Sequence, residues 1–348
     1  MPRRINNFVY SLLLIWGVVS VVFLLFQALG DPAGMIAGQT GDTKTIQNIR
    51  RDLHLDKPLW KQYILYLNDL SPISVYPEEE VKKKQLTGFF MGKKTVMGIK
   101  LPYLGNSFQS GKKVTVIMME ALPGTLLLAT LAIILASLTG IFLGTIAAVN
   151  HQKSLDRLVS ITGIAGVSAP SFLVALLIAL VFGYWLQPIT GLPMTGNWME
   201  TDPVTGQSYA APRNWILPAI SLGIRPMAII MQMTRSSMID VLKQDYIRTA
   251  YAKGLKPRRI IIRHALPNAI NPVITAISGW FAELLAGAFF IEFIFGWQGL
   301  GKVTVDALEK LDYPVLMGSV LLTAMIFMII SSMTDRLYKL IDPRIRLA

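Results

Sequence analysis

Long uncharged apolar runs alternate with charged segments along the chain. The first, Phe8–Leu29, holds 22 residues without a charge. Others follow at Ala121–Val149, Leu158–Met199, Asn214–Thr234, His264–Ile291 and Tyr313–Thr334. About 20 apolar residues, rising 1.5 Å each, cross the hydrocarbon core of a bilayer, so each run predicts one membrane-spanning helix. The third is expected to end near Gln187 and Pro188. Only Arg225 and Glu283 interrupt the fourth and fifth runs. Six spans put both termini on one side. The first run is longer than the apolar part of a secretory signal, and no small-residue cleavage site is evident.

Residues 30–117 read as an extracytoplasmic segment. Within it, Asp42–His54 and Pro58–Leu70 predict short amphipathic helices. Glu78–Lys84 is a solvated charge run in a loop or short helix, and Leu86–Tyr103 predicts short strands. Pro188–Arg213, rich in Gly, Pro, Thr and Asn, reads as a connecting loop. Between the fourth and fifth runs the pattern changes. Gln244–Ala252 predicts a helix with Asp245 as N-cap. Gly254 punctuates it, and a second helix follows, with Pro257 in its first turn and Pro267 at its end. A few residues would suffice to reconnect two spans, so an element of this size predicts a docking surface for a cytoplasmic partner. Ile247, Ala250, Tyr251 and Gly254 fall on one face of it, which a groove on that partner could bury. The same residues also fit an amphipathic helix held flat on anionic lipid. The chain thus divides into 1–29, the extracytoplasmic 30–117, a core of 118–340 with the cytoplasmic loop 243–267, and a cytoplasmic tail 341–348.

Composition agrees with this reading. Of 348 residues, 53% are apolar and 16% charged, and mean hydropathy is +0.49. Average soluble proteins carry about 25% charged residues; composition argues against disorder, a fibrous repeat and an ordinary cytosolic enzyme. The net charge of +12 and a pI near 9.8 raise nucleic acid as a partner, but the placement of the charge argues otherwise. Arg3 and Arg4, the loop 151–157, the segment 235–263 and the tail 335–346 contribute +2, +1, +6 and +2. These segments share one side of the membrane. The long 30–117 loop is largely exempt from the positive-inside rule. Both termini are therefore expected in the cytoplasm, with the bilayer as partner and no nucleic acid.

Chemistry is sparse. Cysteine is absent and the three histidines, His54, His151 and His264, are scattered, which excludes disulfides and thiolate sites and disfavours a histidine metal cluster. No Ser/His or carboxylate pair has a catalytic placement. Gly296–Val303 (GWQGLGKV) comes close to a phosphate-binding loop, yet Val303 stands where a hydroxyl is required and no strand precedes it; its glycines read as a re-entrant loop. Arg225 and Glu283 are the charges within spans, and such groups normally face the bundle or water. Their depths, roughly 16 and 12 Å, permit a pair. They read either as a structural ion pair or, with Gln232 on the face of Arg225, as part of a solute pathway. Ala136, Gly140, Gly144 and Ala148 recur every four residues and predict close packing against another span.

The run QDYIRTAYAKGLKPRRIIIRHALPNAINPVIT resembles the signature of permease subunits of ABC importers, E-A-A, three residues, Gly, nine residues, I-x-L-P. The matching positions are Arg248, Thr249 and Ala250, then Gly254, then His264 to Pro267. Arg248 and Thr249 replace Glu and Ala, and His264 replaces Ile. The Arg-Thr-Ala form after Asp245 and Tyr246 is typical of the dipeptide/oligopeptide/nickel branch. LGDPA (29–33), LDKPLWKQY (55–63), LPGTL (122–126), SLDR (154–157), SAPSF (168–172), FGWQGLG (295–301), DYPV (312–315) and LIDPRIR (340–346) match the same branch. Only about 70–113 is unusual, and the chain resembles the B-type member of a heteromeric pair. The resemblance implies an all-α integral membrane protein of the type I ABC importer permease fold. It implies a multi-pass subunit of a bacterial or archaeal inner or plasma membrane, with no enzymatic activity and no bound cofactor of its own. Its implied partners are a second homologous permease, two ATPase subunits that hold ATP and magnesium, and an extracytoplasmic peptide-binding protein. Asp245, Tyr246, Arg248, Thr249, Ala250, Gly254, Leu266 and Pro267 would couple to the ATPases. The implied cargo is a di- or oligopeptide. Nickel or another small solute of the family remains an alternative, as does, more remotely, an ion-coupled secondary transporter.

Overall fold

The computed structural model describes residues 2–28, 47, 50–51, 54–92 and 95–341, with side chains described within 13–334 except at 26, 28 and 287. Most of the helix expected over Asp42–His54 lies outside the described residues, as do Leu29–Ala33 and the end of Leu340–Arg346. The chain forms two compact units, Met1–Ala121 with Val303–Met325, and Leu122–Lys302 with Ile326–Ala348.

In the first unit, α1 (Pro2–Ala28) covers the first apolar run. Its Val19 and Val22 bury against Leu321, and Phe23 packs on the rings of Tyr63 and Tyr66 of α2 (Leu59–Leu70). The chain then forms β1 (Ile73–Pro77), α3 (Glu78–Lys83), β2 (Gly88–Met91) and β3 (Thr95–Lys100). The strands make an antiparallel sheet in the order β1-β3-β2. Strands β2 and β3 fall inside the predicted 86–103; β1 was not expected, because its five residues end on Pro77 directly before the charge run. Both β1 and β3 alternate exposed and buried positions, the mark of a sheet covered on one face. The covered face closes over Asp69. Tyr76 Oη donates to Asp69 Oδ1 at 2.6 Å, Lys84 Nζ reaches the same oxygen at 2.7 Å, and Lys100 Nζ donates to the Asp69 carbonyl. Lys100 is 4% exposed, and burial pulls its amine down to about 8.

The second unit holds most of the membrane-spanning residues. Helix α4 (Val114–Val149) is the longest element. It is followed by α5 (Ser154–Ser168) and α6 (Ser171–Leu180), the latter running on through a π-turn, Val181–Trp185. The third apolar run is therefore not one straight helix. Its two halves bend by 109°, because Pro170 forces Ala169 out of the helical region (ψ 135°) and cannot donate a helical hydrogen bond itself. The expected loop 188–213 contains a hairpin, β4 (Met199–Thr201) against β5 (Ser208–Ala210). Helix α7 (Arg213–Leu242) then forms the centre of the unit.

After α7 come α8 (Asp245–Ala252) and α9 (Pro257–Ala286). Pro267 does not end the second helix as expected. A π-turn at Ile261–Ala265 re-registers the hydrogen bonds before Pro267, which occupies the first turn of the continuing helix; that turn needs no donor at its nitrogen. Helices α10 (Phe289–Phe295), α11 (Leu300–Glu309) and α12 (Tyr313–Ile341) complete the chain. Among the described residues, four helices are long and apolar enough to cross a membrane, and the bent pair makes a fifth. Helix α1 covers the remaining predicted run, its apolar stretch being described over Leu13–Leu25.

The small-residue stripe on α4 explains how the bundle closes. A Cβ on Gly140 would lie 2.9 Å from the Met227 carbonyl, and one on Gly144 2.5 Å from that of Met231. The backbones of α4 and α7 touch there because neither position has a side chain. The opposite row, Ile134, Leu138 and Phe142, stays exposed, as a lipid-facing row should.

Candidate coupling surface and pathway residues

Helix α8 is set by its ends. Lys243 closes α7, and Gln244 is extended (φ −71°, ψ 149°), so the chain turns sharply before Asp245. Gln244, not Asp245, is the N-cap residue. Asp245 lies in the first turn, where its negative charge meets the positive end of the helix dipole. At the far end Gly254 adopts φ +73°, a left-handed conformation that costs an L-residue about 1–2 kcal/mol. Its N–H donates to the Tyr251 carbonyl and that of Leu255 to Ala250, and Pro257 starts α9 directly afterwards.

One face of α8 is filled from within the chain. Ile247 and Ala250 are 1% and 7% exposed and pack with Ala148, Met238, Ile260, Ala265 and Ala269. The expectation that a partner's groove covers Ile247 and Ala250 is therefore corrected: their own bundle does so. Asp245, Tyr246, Arg248, Thr249, Tyr251 and Gly254 point outward. Arg248 lies 3.6 Å from Asp245, an exposed pair of little energetic weight. Of the remaining signature residues, Leu266 packs at the edge of the buried cluster and Pro267 is exposed on α9.

The platform beneath α8 is locked by an ion pair missing from the expectations. Asp156, in the first turn of α5, is 3% exposed. Arg235 of α7 grips both its oxygens, with Nη2 2.9 Å from Oδ2, and the Gln152 N–H adds a 2.9 Å bond. This guanidinium holds the Asp156 carboxyl well below the usual range. The SLDR segment contains Asp156, but its partner is 79 residues away and no spacing rule connects them.

The pathway residues separate. Arg225 does not pair with Glu283; its guanidinium lies 5.8 Å from the centre of the Trp280 ring on α9, within cation–π range. Both Arg225 and Glu283 are exposed. Gln232 leans toward α5 instead, where its amide nitrogen is 3.2 Å from a Cβ placed on Gly163.

A second buried carboxylate lies on α10, outside the residues singled out from the sequence. Glu292 of α10 is 0% exposed. It accepts from Thr125 Oγ1 at 2.7 Å and from the N–H groups of Gly301 and Lys302 at 2.7 and 3.1 Å. It thereby serves the free donors at the start of α11. A Cβ on Gly299 would overlap this carboxylate, which explains the glycine-rich segment that mimicked a phosphate loop.

Residues 140–347 match the model of the family described as "Binding-protein-dependent transport system inner membrane component", and residues 1–77 match that of its N-terminal part. The chain belongs to that family. Among its relatives in the inner membrane component family, the dipeptide transport system permease protein DppB of Escherichia coli K12 is 36% identical over 95% of this chain and 94% of its own length. The protein of the same name from Bacillus subtilis is 34% identical over 95% and 93%. That from Haemophilus influenzae is 41% identical over 70% and 76%. In structure, a chain of the MetNI methionine ABC transporter superposes with a TM-score of 0.53, covering 66% of this chain and 97% of that one at 15% identity. The family member described here therefore has the type I ABC importer permease fold.

Proposed function

We propose that this chain is a membrane-spanning permease subunit of an ATP-driven importer of dipeptides or short oligopeptides. It performs no hydrolysis itself. ATP and magnesium belong to two partner ATPases, which dock on the outward face of α8. A second homologous permease and an extracytoplasmic peptide-binding protein complete the assembly, and both termini of this chain lie in the cytoplasm. The observation that carries this reading is the build of the 245–267 hairpin. Its inner face is buried in its own bundle, while a polar and aromatic row faces out and is covered by none of the described residues. Closure of the ATPases would move α8, and the platform fixed by Arg235 and Asp156 would pass that motion to α5 and α7.

The exposure of Arg225 and Glu283 supports an assembly with a second permease. A charge facing hydrocarbon at mid-span costs about 3 kcal/mol on insertion scales, so these side chains fit a water-lined route closed by the second permease. The peptide assignment follows from the dipeptide permeases among its relatives. The test is uptake of a labelled dipeptide into vesicles holding the complete complex. Accumulation that requires ATP and this subunit is expected. Uptake that persists without ATP, or retention of nickel alone by the cognate binding protein, would overturn it.

A further inference from the structure

Beside the buried cluster under α8 lies a groove whose contents no part of the transport reading uses. It is a cavity of about 300 Å³ between the end of α4 and the first turns of α9, walled by Ile146, Val149, Asn150, Arg258, Ile261 and Ile262. Val149 and Ile262 are 43% and 54% exposed, so the apolar walls are unfinished. The Asn150 amide N–H donates to the Ile146 carbonyl. The hydroxyl of Thr145, which also lines the groove, donates to Ile141. Arg258 is the charge at this groove, and no acidic group among the described residues lies within ion-pair reach of it. Lys256, Arg259 and Arg263 beside it are exposed and likewise unpaired with acids. Of the acids on the same side, Asp156 is held by Arg235, Asp245 lies against Arg248, and Asp240 is exposed and forms no ion pair with Arg258.

We propose that this groove binds an anionic phospholipid of the cytoplasmic leaflet. Its phosphate would meet Arg258 and one acyl chain would cover Ile146, Val149 and Ile262. Charge complementarity selects the occupant. A free phosphate would satisfy the guanidinium and leave the apolar walls in water, and a zwitterionic lipid would gain less from the surrounding cations. The position fits, because the groove lies where two spans leave their apolar runs. Arg258 stands four residues beyond Gly254, so a bound lipid braces the α8–α9 turn from the membrane side. The leaflet assignment rests on the cytoplasmic placement proposed above. Lipid retention does not, so a failure here leaves the transport reading standing.

The test is native mass spectrometry of the complete purified complex. It is first equilibrated with equal amounts of phosphatidylglycerol and phosphatidylcholine carrying the same acyl chains. Preferential retention of phosphatidylglycerol is expected. Arg258→Gln should lower it about fivefold, the ratio equivalent to about 1 kcal/mol per basic side chain at a membrane surface. Val149→Trp, which fills the groove, should lower it as well. Arg258→Lys should keep most of it, and Lys61→Gln on the other side should change nothing. Equal retention of both lipids would overturn the proposal. So would unchanged retention in both Arg258→Gln and Val149→Trp.

Discussion

Gly254 and Lys100 carry the sharpest consequences at the level of single residues. A side chain at Gly254 would meet no atom within 4 Å, so the penalty there is conformational and not steric. Gly254→Asn, which tolerates the left-handed region, should keep coupled transport. Gly254→Val should lose about 1–2 kcal/mol of hairpin stability and lower the peptide moved per ATP hydrolysed. Equal transport-to-hydrolysis ratios in the two variants would contradict this. For Lys100, burial pulls the amine down to about 8 from its usual value near 10.5, so between those values the unfolded state binds more protons than the folded one. Stability of the sheet must then rise as pH increases from about 8 toward 10. Hydrogen exchange in β1 and β3, corrected for intrinsic rates, should slow over that window. Lys100→Met should abolish the trend.

Elements divide by what their sequences reveal. The spans are legible because a bilayer demands long uncharged runs, and the α4 stripe is legible because small residues at a spacing of four share one face. Other features are not. The 109° bend sits inside an uncharged run, where hydropathy cannot separate one crossing from two half-helices. The apolar stripe of α8 announces an amphipathic helix, yet periodicity cannot say whether its own bundle or a partner covers that stripe; the long-range packing of Ile247 on Met238 and Ala269 decides it. Two variants separate the faces. Replacing Tyr246 and Tyr251 together by Ala should leave the permease assembled and thermally unchanged while weakening its association with the ATPases at least tenfold. Ile247→Asp, which buries an unpaired carboxylate, should instead lower the yield of folded protein. Size-exclusion chromatography with a pull-down distinguishes the two outcomes.

At the scale of the whole molecule, the fold prepares an incomplete object. Charged residues exposed on α7 and α9, an exposed row on α8 and exposed apolar rows on the spans are the faces that the proposed assembly would cover with solute or second permease, ATPase, and lipid. The motif residues were readable because local spacing brings them together. Asp156 with Arg235, and Glu292 with Thr125 and Gly301, were not, since their partners converge only through the packing of α4, α5, α7 and α10. If Arg225 and Glu283 line a route, Arg225→Leu and Glu283→Leu should each cut peptide uptake by about tenfold or more, the equivalent of one charged hydrogen bond, with assembly intact. Unchanged uptake would place both against lipid.

The central claim is that α8 is the cytoplasmic coupling element, and the absence of native cysteine makes one measurement direct. A Tyr251→Cys variant, assembled in sealed right-side-out vesicles, should resist a membrane-impermeant maleimide added outside. After inversion of the vesicles it should cross-link to an ATPase subunit, in a yield that changes when ATP is bound. Labelling from the outside, or the lack of any ATPase cross-link in an assembled and transport-competent complex, would contradict the account.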